Sequence, residues 1–218
     1  MKRFVKAVGG MNHSVIYTNI DGKHFRFFGG TWAWRNHNPG NLRPKQKGKF
    51  RNQIGATHRL AIFPNDELGH VALLKLLRTA YGNDSIHKMI YIYAPPSENP
   101  TKKYEKYLHE TTGVMGDKKI KDFTPTEFKK FWEAIQHFEG FRKGKIVEMH
   151  RIIRVKELDK NLYQYYLDSG DTITEEKCIR LAKQGKVELE VCFSDLGNIF
   201  LRSPPNSCFQ KKLGDLKK

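Results

Sequence analysis

Cysteine is scarce in this chain, and no stretch of it stays apolar for long. The 218 residues include three cysteines, Cys178, Cys192 and Cys208, all in the last quarter. An odd count in that arrangement does not make a disulfide framework, so free thiols are expected, with a Cys178–Cys192 bridge left open. No run approaches the roughly 20 apolar residues of a membrane helix, so no membrane insertion is expected.

The usual motifs for metals and cofactors are also missing. The nine histidines are scattered, without a His-Glu-x-x-His pair, and no two cysteines have zinc-finger spacing. There is no glycine-rich phosphate loop and no Gly-x-Ser-x-Gly elbow. We therefore expect neither a bound metal nor a cofactor.

Acidic residues are too few to balance the basic ones. Against 39 lysines and arginines stand 23 aspartates and glutamates, which gives a formal net charge of +16. Such a field favours polyanions, namely nucleic acid, anionic lipid or the acidic cell wall, but does not choose among them. Hydrophobic residues at 39% and aromatics at 12% predict a packed core and argue against global disorder.

The beginning of the chain does not have the pattern of a secretory leader. Residues 1–10 open with basic side chains, but Lys6 and two glycines interrupt any apolar segment. We therefore expect synthesis in the cytoplasm without a signal peptide. If the substrate lies in the cell wall, another system must deliver the protein.

Local patterns divide the chain into three stretches. Residues 1–60 favour strands and turns, with Asp21-Gly22 predicting a hairpin. Helical periodicity begins near Asn65, and its clearest start is Thr124 with Glu127, which have the spacing of a capping box. After about residue 150 short strands and one helix indicate a small α+β module.

Glu139 is the first candidate for chemistry. It shares a helix face with Phe128, Trp132 and Ile135, so it ends an apolar stripe. Both desolvation and the negative end of the helix dipole raise the pKa of a carboxyl group there. A glycosidase general acid needs that property. The alternative is an exposed terminal glutamate paired with a following basic residue, Arg142 or Lys143.

Two further glutamates are weaker candidates. Glu67 falls in the first turn of its predicted helix, where a negative charge is favourable for structural reasons alone. Glu98 precedes Asn99-Pro100 in a predicted loop, where it also favours the start of the next helix.

A cluster of asparagines follows two tryptophans. Asn36, Asn38 and Asn41 surround Pro39-Gly40, with Gly40 expected at positive φ. Their amides suit the N-acetyl and hydroxyl groups of an amino sugar, and Trp34 offers a flat face for a sugar ring. The alternative is a polar turn beside core tryptophans.

The segment from Trp34 to Arg43 resembles the W-R-N-N-N-P-G-N signature of phage virion-associated and secreted antibacterial peptidoglycan hydrolases. His37 stands where that family usually has asparagine. Further stretches fit the same family in order, over about residues 28–145: residues 61–64 with Glu67 and Gly69, then 93–101, Tyr104, 112–113 and 134–140.

The resemblance implies an α+β fold with two parts. Residues 1–150 would form an α-rich, lysozyme-like peptidoglycan hydrolase domain with a small β element, and residues 151–218 a small α+β accessory module. Because Glu139 follows the asparagine-rich segment, we hypothesise a circularly permuted order.

The implied activity is cleavage between N-acetylmuramic acid and N-acetylglucosamine, as a muramidase or a lytic transglycosylase. Glu139 would be the catalytic glutamate. The substrate-binding residues would be Trp34, Asn36, Asn38, Asn41, Glu67, Tyr93 and Glu98.

The implied partners are peptidoglycan, a secretion or phage-tail delivery component and a cognate inhibitor or immunity protein. The setting would be the periplasm, in bacterial lysis or antagonism between bacteria. Two other functions stay open: a cationic nuclease toxin, with His37 as base, and a non-catalytic cell-wall-binding or virion structural protein.

Overall fold

The computed structural model describes residues 3–44, 48–160, 162–205 and 207–217. The chain divides into two compact units. The sheet unit comprises residues 1–29, 54–58 and 144–218, and the helical unit comprises residues 30–53 and 59–143. These units differ from the predicted division at residue 150, because residues 144–218 join the N-terminal strands.

Strands and helices alternate unevenly along the chain. The strands are β1 (Phe4–Gly9), β2 (Val15–Asn19), β3 (His24–Phe28), β4 (Gly55–Thr57), β5 (Leu60–Ile62), β6 (Lys145–Met149), β7 (Ile152–Asp159), β8 (Leu162–Leu167), β9 (Thr172–Thr174), β10 (Glu190–Phe193) and β11 (Ile199–Arg202). The helices are α1 (Trp32–Arg35), α2 (Asp66–Thr79), α3 (Ile86–Tyr93), α4 (Thr101–Thr112), α5 (Pro125–Glu139) and α6 (Glu175–Lys183). Short 3-10 helices cover Ile120–Asp122 and Leu213–Leu216.

The predicted fold class is wrong. The chain does not form a helix-rich, lysozyme-like domain with a small β element in circularly permuted order. About a third of the residues are helical and a quarter lie in strands, in four antiparallel sheets. The reason is long-range pairing: β3 lies antiparallel to β6, with Arg26 opposite Val147. The separate segments that resemble a known family carry no information about which distant strands pair with each other.

The sheet unit contains a four-stranded antiparallel sheet in the order β1-β2-β3-β6. Gly22, with φ of +79°, lies in the tight turn between β2 and β3, which confirms the predicted hairpin. One sheet face carries packed aromatic rings, among them Phe4, Tyr17 and Phe27. Buried aromatic rings of this kind contribute strongly to the stability of a folded protein.

A second core of the sheet unit lies among β7, β8, β9 and α6. Val155, Tyr165 and Cys178 are buried there. Burial raises the pKa of the Cys178 thiol to about 12, so it is a packing residue rather than a nucleophile. All three cysteines are free, as the sequence predicts.

The helical unit packs α2, α3, α4 and α5 around one apolar core. The fully buried side chains include Leu73, Leu77, Met89, Phe131 and Ile135. In the part of the chain that the structure describes, no helix has the length and apolar character needed to cross a bilayer.

The start of α5 confirms the predicted capping box. Glu127 N donates to Thr124 Oγ1 at 3.2 Å, and Thr124 N donates to Glu127 Oε2 at 2.7 Å. Pro125 occupies the first turn, where its missing N–H costs nothing. These contacts fix where α5 begins, and its 15 residues then place Glu139 at its end.

Candidate active site

The asparagine-rich segment forms a turn directly after α1. His37 and Asn41 adopt positive φ values of 49° and 46°. Gly40 does not, so the expectation for Gly40 is wrong. A Cβ on Gly40 would lie 2.6 Å from the Tyr93 hydroxyl oxygen and 2.8 Å from Leu73 Cδ1. Glycine is therefore required there for close packing, not for a left-handed backbone.

Asn38 holds this turn together from inside. Its Nδ2 donates to Leu42 O at 3.0 Å and to Ala61 O at 2.9 Å, and its Oδ1 accepts from Leu42 N at 2.8 Å. The side chain is fully buried. Every strong hydrogen-bonding position of the amide but one is thus used by the backbone, so Asn38 shapes the turn rather than facing a ligand.

Glu139 lies at the end of α5 and points at this turn. Asn41 Nδ2 donates to Glu139 Oε2 at 2.9 Å, and the Tyr104 hydroxyl donates to Oε1 at 3.1 Å. Within the described chain no salt bridge joins Glu139 to Arg142 or Lys143, the alternative that the sequence left open. Two neutral donors therefore hold the carboxyl group.

Burial raises the pKa of the Glu139 carboxyl group above its ordinary value. The hydrogen bonds from Asn41 and Tyr104, and the charge of Arg43, act in the opposite direction but do not cancel it. Desolvation disfavours the charged form, whereas donors and cations favour it. The balance keeps a proton on Glu139 at higher pH than on an exposed glutamate.

Two tyrosines lie close enough to this carboxyl group to interact with its charge. Burial, and then the nearby Glu139 charge, raise the pKa of both Tyr93 and Tyr104 well above the ordinary range. Both phenols therefore stay protonated and act as donors. The Tyr93 hydroxyl donates to Gly40 O, and the Tyr104 ring stacks on Phe138 with centroids 3.7 Å apart.

A cavity of about 590 Å³ opens beside Glu139. Its wall includes residues 40–43 of the turn, Tyr93 at the end of α3, and Asn99 ahead of α4. The cavity wall therefore combines polar groups with apolar side chains such as Leu42 and Ile92. Ligand sites commonly have this size and this combination of an apolar wall with a few directed polar groups.

Of the predicted site residues, the structure brings three to the cavity: Asn41, Tyr93 and Glu139. Trp34, Asn36 and Asn38 are instead buried, with at most 5% of their surface exposed, and none lines the cavity wall. Asn38 is held inside by its hydrogen bonds to the backbone, and Trp34 and Asn36 are buried beside it in sequence. This corrects the expectation that they contact a sugar.

Glu67 and Glu98 also lie away from the cavity wall. Glu67 is exposed in the first turn of α2. Glu98 is exposed and pairs with Arg43, whose Nη1 lies 2.5 Å from Glu98 Oε2. That pairing lowers the pKa of Glu98, so this carboxylate stays ionised. Glu98 itself does not line the cavity, but its partner Arg43 and its sequence neighbour Asn99 do.

Sequence reasoning did not assign roles to Tyr104 and Arg43. Tyr104 belongs to the buried face of α4, where a phenol requires a hydrogen-bond partner. Arg43 is the last residue of the segment that resembles the hydrolase signature. The helical position of Tyr104 and the place of Arg43 in that segment could both be read from the sequence. Only the three-dimensional structure shows that Tyr104 contacts Glu139.

His37 is not placed as a free base. Its Nδ1 lies 2.6 Å from Asp66 Oδ1, and only 12% of its side chain is exposed. Within the described ranges, no three His, Cys, Asp or Glu side chains form a group that could hold a metal ion.

Comparison with known proteins found no relative of this chain. No protein-family model, no curated protein and no solved structure matches this chain. Any function must therefore be argued from the site itself.

Proposed function

We propose that this chain is an enzyme that cuts the glycan strands of bacterial peptidoglycan, as a muramidase or a lytic transglycosylase. One observation carries the proposal. The carboxyl group of Glu139 lies in a cavity wall, accepts hydrogen bonds from Asn41 and Tyr104, and has a pKa raised by burial. A glycosidase needs such a carboxylic acid to protonate the departing oxygen.

The hydrogen-bond donors Asn41 and Tyr104 are suited to Glu139 both before and after it gives up its proton. Before transfer, Glu139 carries the proton that it gives to the departing oxygen. After transfer it is a carboxylate, and the hydrogen bonds from Asn41 and Tyr104 stabilise the new charge. The same carboxylate then takes up the proton of the attacking hydroxyl or water. Acid–base catalysis of this kind is typically worth about 10²–10⁴ in rate.

The cavity wall supports an amino-sugar substrate. The amides of Asn41 and Asn99 offer donors and acceptors for N-acetyl and hydroxyl groups, and Arg43 offers a cation for an acidic substituent. Asn41 and Arg43 belong to the segment that resembles the peptidoglycan hydrolase signature, which adds support independent of the geometry.

The bond cut is the β-1,4 linkage between N-acetylmuramic acid and N-acetylglucosamine. The net charge of +16 draws the protein to the acidic wall. We further propose that a secretion or phage-tail component delivers the chain to the periplasm, where it causes lysis or kills competitors. A producer would need an inhibitor or immunity protein that blocks the cavity.

The test compares wild type with two variants of the same helix. Glu139→Gln keeps the size of the side chain but removes the transferable proton. Glu133→Gln is the matched control, because Glu133 is exposed on α5 and pairs with Lys129. Purified sacculi should release soluble muropeptides with wild type and Glu133→Gln, and at least about a hundredfold more slowly with Glu139→Gln.

The other outcomes identify the alternatives. Near-normal release by Glu139→Gln would place the acid elsewhere. Co-sedimentation with sacculi without any release would indicate a wall-binding or virion structural protein. Nicking of plasmid DNA in a parallel reaction would indicate a nuclease toxin.

A further inference from the structure

Two histidines of the sheet unit meet at its surface, although 45 positions separate them in sequence. His13 lies in the turn between β1 and β2, and His58 directly follows β4. His13 Nδ1 lies 3.3 Å from His58 Nε2, and both side chains are exposed. The ring planes are inclined at 54° with centroids 5.2 Å apart, so the rings converge through their nitrogens rather than stack.

The turn that carries His13 is fixed on both sides of this residue. Met11 N donates to the buried Glu188 Oε1 at 2.9 Å, and Ser14 Oγ donates to Met11 O at 2.7 Å. His13 and His58 both have left-handed backbone, with φ of 57° and 48°. Residues other than glycine rarely adopt this conformation, and those that do are concentrated at ligand clamps and other functional sites.

Thr57 orients the ring of His58. Its Oγ1 lies 3.0 Å from His58 Nδ1. When Nδ1–H donates to this hydroxyl, His58 Nε2 carries the lone pair that faces His13. Metal-binding histidines usually donate their second ring N–H to a neighbouring acceptor in this way. A Cβ on Gly9 would lie 2.5 Å from Thr57 Oγ1, so the glycine in β1 leaves room for the hydroxyl.

The distance between the two facing nitrogens matches that of two ligands on a tetrahedral zinc ion. Zinc–nitrogen bonds of about 2.0–2.1 Å, at the tetrahedral angle, place two nitrogens about 3.3–3.4 Å apart. Neighbouring ligands of a square-planar ion with bonds of that length are only about 2.9 Å apart. The observed 3.3 Å therefore favours zinc over the square-planar ions copper(II) and nickel(II).

We propose that His13 Nδ1 and His58 Nε2 bind one zinc ion, which joins the β1–β2 turn to the end of β4. Zinc needs a lone pair on both nitrogens, so the proton between them moves to the far nitrogen of His13, Nε2, by exchange with water. Water occupies the other two corners of the tetrahedron, and the site binds more weakly than structural sites with four protein ligands. The ion stabilises the folded chain by mass action, because unfolding separates the two histidines.

The experiment is calorimetric titration of zinc chloride into the full chain after treatment with EDTA. Wild type should bind one zinc ion per chain. His13→Gln and His58→Gln should each bind it at least about tenfold more weakly, since loss of even an outer partner of a metal ligand typically costs that much. His87→Gln is the matched control, because His87 is also exposed and its Nδ1 contacts Glu105 Oε1 instead. Wild-type affinity in either His13→Gln or His58→Gln, or no binding by wild type, would overturn the proposal.

Thermal unfolding with and without zinc chloride separates this site from others. Zinc should raise the Tm of wild type but not that of His13→Gln or His58→Gln, and all three should have similar Tm values in EDTA. An equal rise in all three would locate the zinc elsewhere and contradict the proposal. Thr57→Val keeps the shape of the side chain but removes the acceptor, so it should weaken zinc binding by about 10–100-fold. Unchanged affinity in Thr57→Val would contradict the proposed orientation of His58.

The zinc site does not depend on the proposed glycan cleavage. His13 and His58 belong to the sheet unit, whereas Glu139 belongs to the helical unit. Glu139→Gln should therefore bind one zinc ion with the affinity of wild type. A loss of zinc binding in Glu139→Gln would contradict the assignment of the ion to the two histidines.

Discussion

Asn41 Nδ2 lies 2.9 Å from Glu139 Oε2, so the turn after α1 and the last residue of α5 meet across 98 positions of sequence. Tyr104, from α4, reaches the other carboxyl oxygen at 3.1 Å. Three separate elements thus position one acid. The pKa of Glu139 depends on all of them, and this makes the site open to test by single substitutions.

Tyr104→Phe should move the pH dependence of cleavage upward. The phenol donates to the ionised form of Glu139 and so lowers the pKa of that carboxyl group. Removing the donor raises the pKa further, and the acid stays protonated to higher pH. The alkaline limb of kcat/KM, measured on a soluble glycan, should therefore shift to higher pH than in wild type. An unchanged limb would mean that Tyr104 does not affect the acid, and Tyr107→Phe on the same helix is the control.

Glu139→Gln should stabilise the protein at neutral pH. The folded-state pKa of Glu139 is raised above its ordinary value of 4.5, so the native state binds more protons than the unfolded state. Stability is then lost as pH rises from about 4.5 through the folded-state pKa. Glutamine resembles the protonated acid and avoids that loss.

The measurement is Tm for both proteins from about pH 3.5 to about pH 8, a range that begins below the ordinary carboxyl pKa of 4.5. The variant should melt at a higher temperature near neutrality, and the two should converge below pH 4. A difference in Tm between the two proteins that did not change with pH would show that Glu139 does not titrate with a raised pKa.

The two asparagines of the turn should separate into different roles. Asn38→Ala leaves Leu42 N and Ala61 O without their side-chain partners, at about 1–3 kcal/mol for each buried group. Urea unfolding should therefore show a large loss of stability. Asn41→Gly keeps the positive φ but removes the donor to Glu139, so it should lower activity with little change in stability. Equal effects of both variants on stability would contradict this division.

Short sequence patterns were sufficient to predict the structural elements that depend only on residues adjacent in sequence. The capping box at Thr124 and Glu127 and the turn at Gly22 each involve a few adjacent residues, and both were predicted correctly. The approach of Asn41 to Glu139 depends on how α5 packs. No periodicity in the sequence contains that information, so Glu139 could be proposed from its helix position but its partners could not.

The wrong fold class has the same physical origin. Strands in residues 1–60 and short strands after residue 150 were both predicted, but they were assigned to separate domains. Contacts from β3 to residues after 150, His24 with Asp168 and Arg26 with Glu188, join them into one sheet unit. Antiparallel pairing between distant strands is specified by which faces must be buried, and that depends on the whole chain.

Binding to the cell wall should weaken as salt increases. The net charge of +16 attracts an acidic polymer, and exposed charges are screened beyond about 8 Å at physiological ionic strength. Co-sedimentation of Glu139→Gln with intact sacculi, in low and in high salt, measures binding without cleavage. Binding that did not change with salt would place recognition in the cavity contacts alone.

Gly69→Ala should destabilise the protein although alanine favours helices. In an open helix this substitution stabilises by up to roughly 1 kcal/mol. Gly69, however, lies in α2 where a Cβ would be 1.9 Å from His37 O, a backbone atom of the asparagine-rich turn. The helix or the turn must move, and overpacking of this kind typically costs about 1–3 kcal/mol.

The matched control is Gly214→Ala, because Gly214 also lies in a helical turn, with nothing within 4 Å of its Cβ position. Urea unfolding should show a clear loss of stability for Gly69→Ala and a change within about 0.5 kcal/mol for Gly214→Ala. Because the turn that α2 supports also carries Asn41, cleavage by Gly69→Ala should fall as well. A Gly69→Ala protein as stable and as active as wild type would mean that the close packing of α2 on the turn does not position Asn41 for Glu139.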